Sequence, residues 1–229
     1  MLGLDTWLAG YSDGVTLWLV GVVAVLLGLR HATDPDHVVA VTTLLAGGRD
    51  RAARSAARLG LAWGLGHAVT LFLFGLPVLL FARALPGPVQ RGAETAVAAL
   101  IVYLALRLLV RWRRGELHFH EHPHAHPRSR TPLAAFGIGL VHGLGGSAGI
   151  GVLLVATIDS TPVAVAALGI FALFTAVSMT SLTTGFGLTL ASRPVRRGFE
   201  RLAPALGVAS LGFGVWYAAS AWALTGNPF

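Results

Sequence analysis

The residues best able to do chemistry are crowded into one stretch, Leu26–Leu45, where "RHATDPDH" sets Arg30, His31, Asp34, Asp36 and His37 inside an otherwise apolar run. Two imidazoles and two carboxylates so close together are nitrogen and oxygen donors for a divalent metal ion. The set is borderline to hard, suited to Ni²⁺, Co²⁺ or Zn²⁺ and poor for Cu⁺. Pro35 has no N–H to return to the carbonyl of His31, and it pushes Asp34 out of helical dihedrals. Asp34-Pro35 also reads as an N-cap followed by proline at the first helical position. The expectation is a helix that ends near Arg30 or His31 and restarts at Asp34. In an unbroken helix His31 and Asp36 would point about 140° apart; a break lets His31, Asp34, Asp36 and His37 converge. The bland alternative is an ion-pair cluster, Arg30 with Asp34 or Asp36, that locks helices together. Arg30 cannot ligate a cation, and its better role is to neutralise a carboxylate when the site is empty.

The elements that must position these groups are membrane spans. The 229-residue chain is 55% hydrophobic and 12% charged, with a mean hydropathy of +0.71; soluble domains carry about twice that charge. Several segments exceed the roughly 18 to 20 apolar residues that cross a bilayer. Their apolar runs are continuous rather than alternating, which excludes an outer-membrane barrel. There is no cysteine, hence no disulfide framework and no thiolate metal site. The opening segment holds Asp5 and Asp13 and no basic residue, unlike a secretory signal. The formal charge of +7 resides in arginines of short loops, a distribution that argues against nucleic acid as a partner.

Six spans are expected, at Val15–Gly47, Leu59–Ala82, Ala93–Trp112, Pro132–Ile158, Pro162–Ala191 and Ala203–Thr225. The loops after spans one, three and five carry 13 arginines, against Arg83 and Arg91 on the other side. The positive-inside rule therefore places both termini outside and the Arg-rich loops in the cytoplasm of a cell (inner) membrane protein. "GLRH" at Gly28–His31 returns as "GLVH" at Gly139–His142, a shift of 111 residues that also carries span three onto span six. Three spans per half is an odd number, so the halves would be inverted, as in transporters with interrupted helices and a midplane site. The fold expected is all-α: a transmembrane bundle of two inverted three-span halves, 1–112 and 132–229, joined by a loop at 113–131.

Further donors lie outside the first motif. His67 sits mid-span in "AWGLGHAVTLFLFG", where a ligand role and a hydrogen bond to a neighbouring helix are both open. His142 lies in the glycine-dense "GIGLVHGLGGSAGIG", read either as tight helix packing or as a second half-helix whose freed carbonyls and Ser147 hydroxyl line an ion path. "SMTSLTTG" (Ser178–Gly185) offers hydroxyls, most of which should bond their own helix backbone; Thr180 and Ser181 are the candidates for lining the path. The joining loop, "HFHEHPHAHP", sets His118, His120, His122, His124 and His126 at alternate positions, with prolines that prevent a helix. Such tracts bind divalent metals by composition. The loop could receive metal or sense it, and a cytoplasmic metallochaperone is a partner it could serve; a plain polar linker is the alternative.

"RHATDPDH" resembles the histidine–four residues–aspartate–histidine signature of the nickel/cobalt transporter family, here His31, Asp36 and His37. The family's usual Asp-Ala-Asp-His is Asp34-Pro35-Asp36-His37 in this chain. "GLGH", ending at His67, resembles the family's second motif, with Ala68-Val69 in place of Ser-Thr. "GLVHGLGGSAG", with His142, Ser147 and Gly149, resembles the short six-span branch grouped with urease-accessory membrane proteins. The acidic motif and extra pair of spans of the longer members are absent. The resemblance implies a transporter of Ni²⁺ or Co²⁺, with Zn²⁺ behind them, and favours a ligand or relay role for His67. The metal is then the cargo and no cofactor is expected. No Gly-rich Lys-Ser/Thr loop for ATP is present. Two other readings stay open: an intramembrane zinc enzyme with Asp34 or Asp36 as general base, though HExxH is missing, and an accessory protein that delivers metal through the His loop without transporting it.

Overall fold

The computed structural model describes residues 14–34, 37–38, 40–41, 52–81, 86–115, 131–145 and 158–224. They form α1 (Gly14–His31), α2 (Ala52–Phe81), α3 (Gly87–Arg113), α4 (Pro132–His142), α5 (Thr161–Ala191) and α6 (Arg193–Ala221), and no strand occurs among the described residues. The fold is an all-helical membrane bundle. Among the described residues, four stretches are long and apolar enough to cross a bilayer: Arg54–Phe81, Gly87–Arg113, Thr161–Thr189 and Arg201–Ala221. Apolar residues cover its outside, with Trp18 76% and Leu73 60% exposed, while His31, His37, His67, His142 and Thr175 are buried. That inversion of the soluble pattern is what lipid as solvent demands.

Helices α1 and α4 are the exceptions in length, at 18 and 11 residues. The expected first and fourth spans are therefore not continuous helices. Both stop at a histidine and run into tight turns of the same pattern. Thr33 N–H donates to the Arg30 carbonyl (2.9 Å) and Asp34 N–H to that of His31 (3.2 Å); Leu144 N–H donates to Val141 (3.2 Å) and Gly145 N–H to His142 (3.1 Å). After the first turn the chain winds up again, with His37 and Val38 N–H both donating to the Asp34 carbonyl. The break expected from Pro35 is thus found where the proline chemistry puts it. At the other end of the chain the "SRPVRRGFER" segment, expected as a loop, is already helical from Arg193, because Ser192 takes extended dihedrals at the N-cap position and Pro194 falls in the first helical turn.

Glycine lets the helices meet backbone to backbone. A Cβ on Gly66 would collide with the carbonyl of Phe136, and one on Gly139 with that of Trp63, so α2 and α4 touch along their main chains. On the other side a Cβ on Gly28 would lie 2.8 Å from both the Phe171 carbonyl and the Thr175 nitrogen, which fixes α1 on α5. Helices α2 and α5 run antiparallel, Gly60 facing Thr183 and Gly64 facing Ala176; α3 and α6 do the same, Gly207 facing Leu109 and Gly214 facing Val102. Trp63, Leu104, Ala135 and Met179 enclose the restarted segment at Ala40 and Val41.

Candidate metal centre

Four elements bring four imidazoles together. Helix α1 ends on His31, the restarted turn supplies His37, and α2 supplies His67 from its middle. A continuous helix would set His31 and His37 about 120° apart around its axis, yet their ring centroids lie 4.7 Å apart. His37 is the hub, with centroids 5.0 Å from His67 and 4.6 Å from His142 at the end of α4, its ring edge-on to both. All four are almost wholly buried, and His37 is 0% exposed. Ligand atoms of His31, His37 and His67 lie within 4.8 Å of one another.

The Nε2 atoms of His31 and His67 lie 3.0 Å apart. The other nitrogen of His31, Nδ1, lies 3.1 Å from Asp34 Oδ2. A carboxylate at Asp34 only accepts; in the tautomer with its proton on Nδ1, a neutral His31 keeps a lone pair on Nε2 that can accept from His67 Nε2–H. Two ring nitrogens that face each other across one proton are also placed for one cation. With metal–nitrogen bonds of about 2.1 Å, donors on a single ion lie about 3.0 Å apart at right angles and about 3.4 Å apart in a tetrahedron. A histidine whose second nitrogen is held by a carboxylate is the common arrangement of a metal-ligating imidazole. Arg30 approaches the other carboxylate oxygen at 3.9 Å from a largely exposed position, the pairing its sequence position suggested.

Aromatic walls flank the histidines. His31 stands against Phe171 of α5 (5.8 Å between centroids), and His142 against Trp63 of α2 (5.9 Å), which also touches His37 (5.7 Å). These walls carry no sequence motif; only the half-helix register relates them, Phe171 lying beside Gly28 as Trp63 lies beside Gly139.

Among the sequence candidates, His31, Asp34, His37, His67 and His142 come together. Asp36, Ser147 and the loop histidines His118, His120, His122, His124 and His126 lie outside the described residues. In α5 the hydroxyls of Thr180 and Ser181 donate to their own helix, at Ala176 (2.7 Å) and Val177 (2.9 Å), and Ser181 is exposed. Thr183 and Thr184 do likewise. Ser178 is different: its hydroxyl crosses to the Leu29 carbonyl of α1. The sequence offered no sign of that contact, nor of Thr70, which reaches the Leu140 carbonyl of α4.

No family model matches the chain, and no solved structure does. Among curated proteins it is 28% identical over 193 residues to the urease accessory protein UreH of Bacillus sp. (strain TB-90), covering 80% of this chain and 84% of that protein. Over 82 residues it is 39% identical to the nickel transporter NicT of Mycobacterium tuberculosis (strain ATCC 25618 / H37Rv), a third (33%) of this chain and a fifth (20%) of the relative. Neither is named as an enzyme. Both relatives fit the nickel/cobalt transporter family grouped with urease accessory proteins, the family that the motifs around His31, His67 and His142 resemble.

Proposed function

We propose that the chain carries a divalent transition-metal ion, nickel or cobalt before zinc, across the membrane through the buried histidine cluster. The observation that carries this reading is the facing pair His31 Nε2 and His67 Nε2, 3.0 Å apart in an apolar bundle, with His37 beside both. In the empty site one proton satisfies both nitrogens. An arriving ion takes its place: His31 is already in the ligating tautomer, and His67 ligates once it adopts the other neutral tautomer, its proton moved from Nε2 to Nδ1. Protonating either ring to the imidazolium releases the ion, because imidazoles bind metal only when neutral. Asp34 holds the His31 ring in this account, Asp36 is available as a carboxylate ligand, and His142 reaches the ion through its contact with His37.

The inverted halves, 1–112 and 132–229, are part of the proposal. Their support is that Gly28 of α1 rests on α5 as Gly139 of α4 rests on α2, while α2 with α5 and α3 with α6 run antiparallel. Alternating access then amounts to moving one half against the other around the histidines. Arginine placement favours termini outside, with the His118–His126 loop in the cytoplasm, where a metallochaperone could meet it. The relative named as a urease accessory protein favours a second reading, delivery of metal to an assembly complex through that loop.

Cellular nickel, cobalt and zinc, measured by mass spectrometry in cells expressing wild type or His37→Ala at equal membrane abundance, test the proposal. A change in one metal that the variant lacks is expected, and its sign gives the direction. No difference for any metal refutes transport. Deleting 118–126 should leave transport intact; if it removes all metal accumulation, delivery through the loop is the better reading.

A further inference from the structure

A helix that stops inside a membrane leaves carbonyls without N–H partners, and no water is at hand to take them. Leu29 and Leu140 are such carbonyls. The N–H four residues on, which would close the α-helical bond, is spent elsewhere in both cases: Thr33 N–H goes to Arg30 and Leu144 N–H to Val141. Each carbonyl is met instead by a hydroxyl from a long neighbouring helix. Ser178 of α5 donates to Leu29 at 3.2 Å, and Thr70 of α2 lies 2.9 Å from Leu140 and equally close to the Gly66 carbonyl of its own helix. Both hydroxyls are buried.

The two contacts are copies of one another. Leu29 and Leu140 are 111 residues apart, as are His31 and His142; Ser178 and Thr70 are 108 apart, as are Phe171 and Trp63, the aromatic residues beside those histidines. The glycine contacts keep the same two offsets: Gly28 lies on Phe171 and Thr175, and Gly139 on Trp63 and His67. One unrelated hydroxyl near a helix end would be ordinary. Two in matching register, each two residues before a histidine of the cluster, point to a shared task.

We propose that Ser178 and Thr70 are a matched pair of positioning residues, each capping the open end of one half-helix and thereby setting the level of the histidine it carries, His31 for Ser178 and His142 for Thr70. The pair rests on the metal-site reading for its purpose but not for its existence. Because each hydroxyl belongs to the opposite half of the chain from the helix end it caps, a shift of α5 draws on His31 and a shift of α2 on His142. Movement of the long helices would reach the ligands through these two bonds.

The test uses full-length protein in detergent with Co²⁺ as probe, whose d–d absorption reports ligand geometry. Ser178→Ala and Thr70→Val should each weaken Co²⁺ binding about tenfold, the low end for a group that orients a ligand, with altered d–d bands. Ser178→Thr and Thr70→Ser, which keep the hydroxyl, should restore both. Thr184→Ala, whose hydroxyl donates to the Thr180 carbonyl in its own helix, should change neither. In the metal-free protein, amide exchange should accelerate at 28–34 for Ser178→Ala and at 139–145 for Thr70→Val. Wild-type affinity and spectra in both hydroxyl-free variants overturn the positioning role, even if they melt earlier. Should wild type bind no Co²⁺, the metal-site reading fails; unchanged amide exchange at both helix ends overturns the capping itself.

Discussion

Removing Asp34 separates two roles that its position allows. Its Oδ2 lies 3.1 Å from His31 Nδ1, where a carboxylate favours the tautomer that leaves the Nε2 lone pair facing His67. If it acts through His31, Asp34→Ala costs what loss of an orienting partner costs, about 10- to 100-fold in metal affinity, or roughly 1.4–2.7 kcal/mol. The ring stays attached and can still turn its nitrogen to the ion, which is why binding weakens rather than disappears. The decisive measurement is a double-mutant cycle by calorimetric titration of Ni²⁺ into the purified protein. In a His31→Ala background Asp34 has no ring to orient, and its removal should then cost less than threefold. An equal penalty for Asp34→Ala with and without His31 would show the carboxylate acting on the metal directly and refute the orienting role.

Three other outcomes follow from the same geometry. Gly139→Ala drives a Cβ into the Trp63 carbonyl and should destabilise the bundle by about 1–3 kcal/mol in detergent unfolding, while Gly137→Ala, which meets nothing within 4 Å, should be neutral; equal effects would discredit the α2–α4 contact. In a variant with Trp7, Trp18, Trp112, Trp216 and Trp222 replaced by phenylalanine, Ni²⁺ or Co²⁺ should quench Trp63, whose ring lies within 6 Å of the His37 and His142 centroids; undiminished emission at saturating metal would place the ion elsewhere. Metal affinity should fall steeply from about pH 8 to about pH 5, because protons compete for imidazole nitrogen over that range, and a flat profile would count against histidine ligation.

Much of the site was legible because its chemistry is local. Pro35 forces a break whatever surrounds it, so the end of α1 at His31 and the return of helical hydrogen bonds at His37 could be read from seven residues. The end of α4 at His142 was readable more weakly, from glycine density that suits packing and breaking equally. The meeting of His67 with His31 was not readable from spacing, since 36 residues and a turn of chain separate them; only the resemblance paired them. Thr70, Trp63 and Phe171 escaped notice, and Ser178 was grouped with hydroxyls expected to bond their own helix, for a physical reason. In a span that is apolar on every side there is no periodicity to mark an inward face, and a hydroxyl bound to a neighbouring helix looks the same in sequence as one bound to its own. The start of α6 was misjudged because arginines suggested a loop, although arginine is a good helix former.

The glycine contacts carry a consequence for how the chain is made. Gly28 needs the backbone of α5 and Gly139 needs that of α2, so α1 leaves the ribosome well over a hundred residues before its packing partner exists. For most of synthesis its broken end, with His31 and the Leu29 carbonyl, must wait in the insertion machinery or in lipid. Neither half can reach its final packing alone. Packing of α1 therefore comes late, when α5 arrives to receive it, and truncations before α5 should be cleared by quality-control proteolysis rather than accumulate.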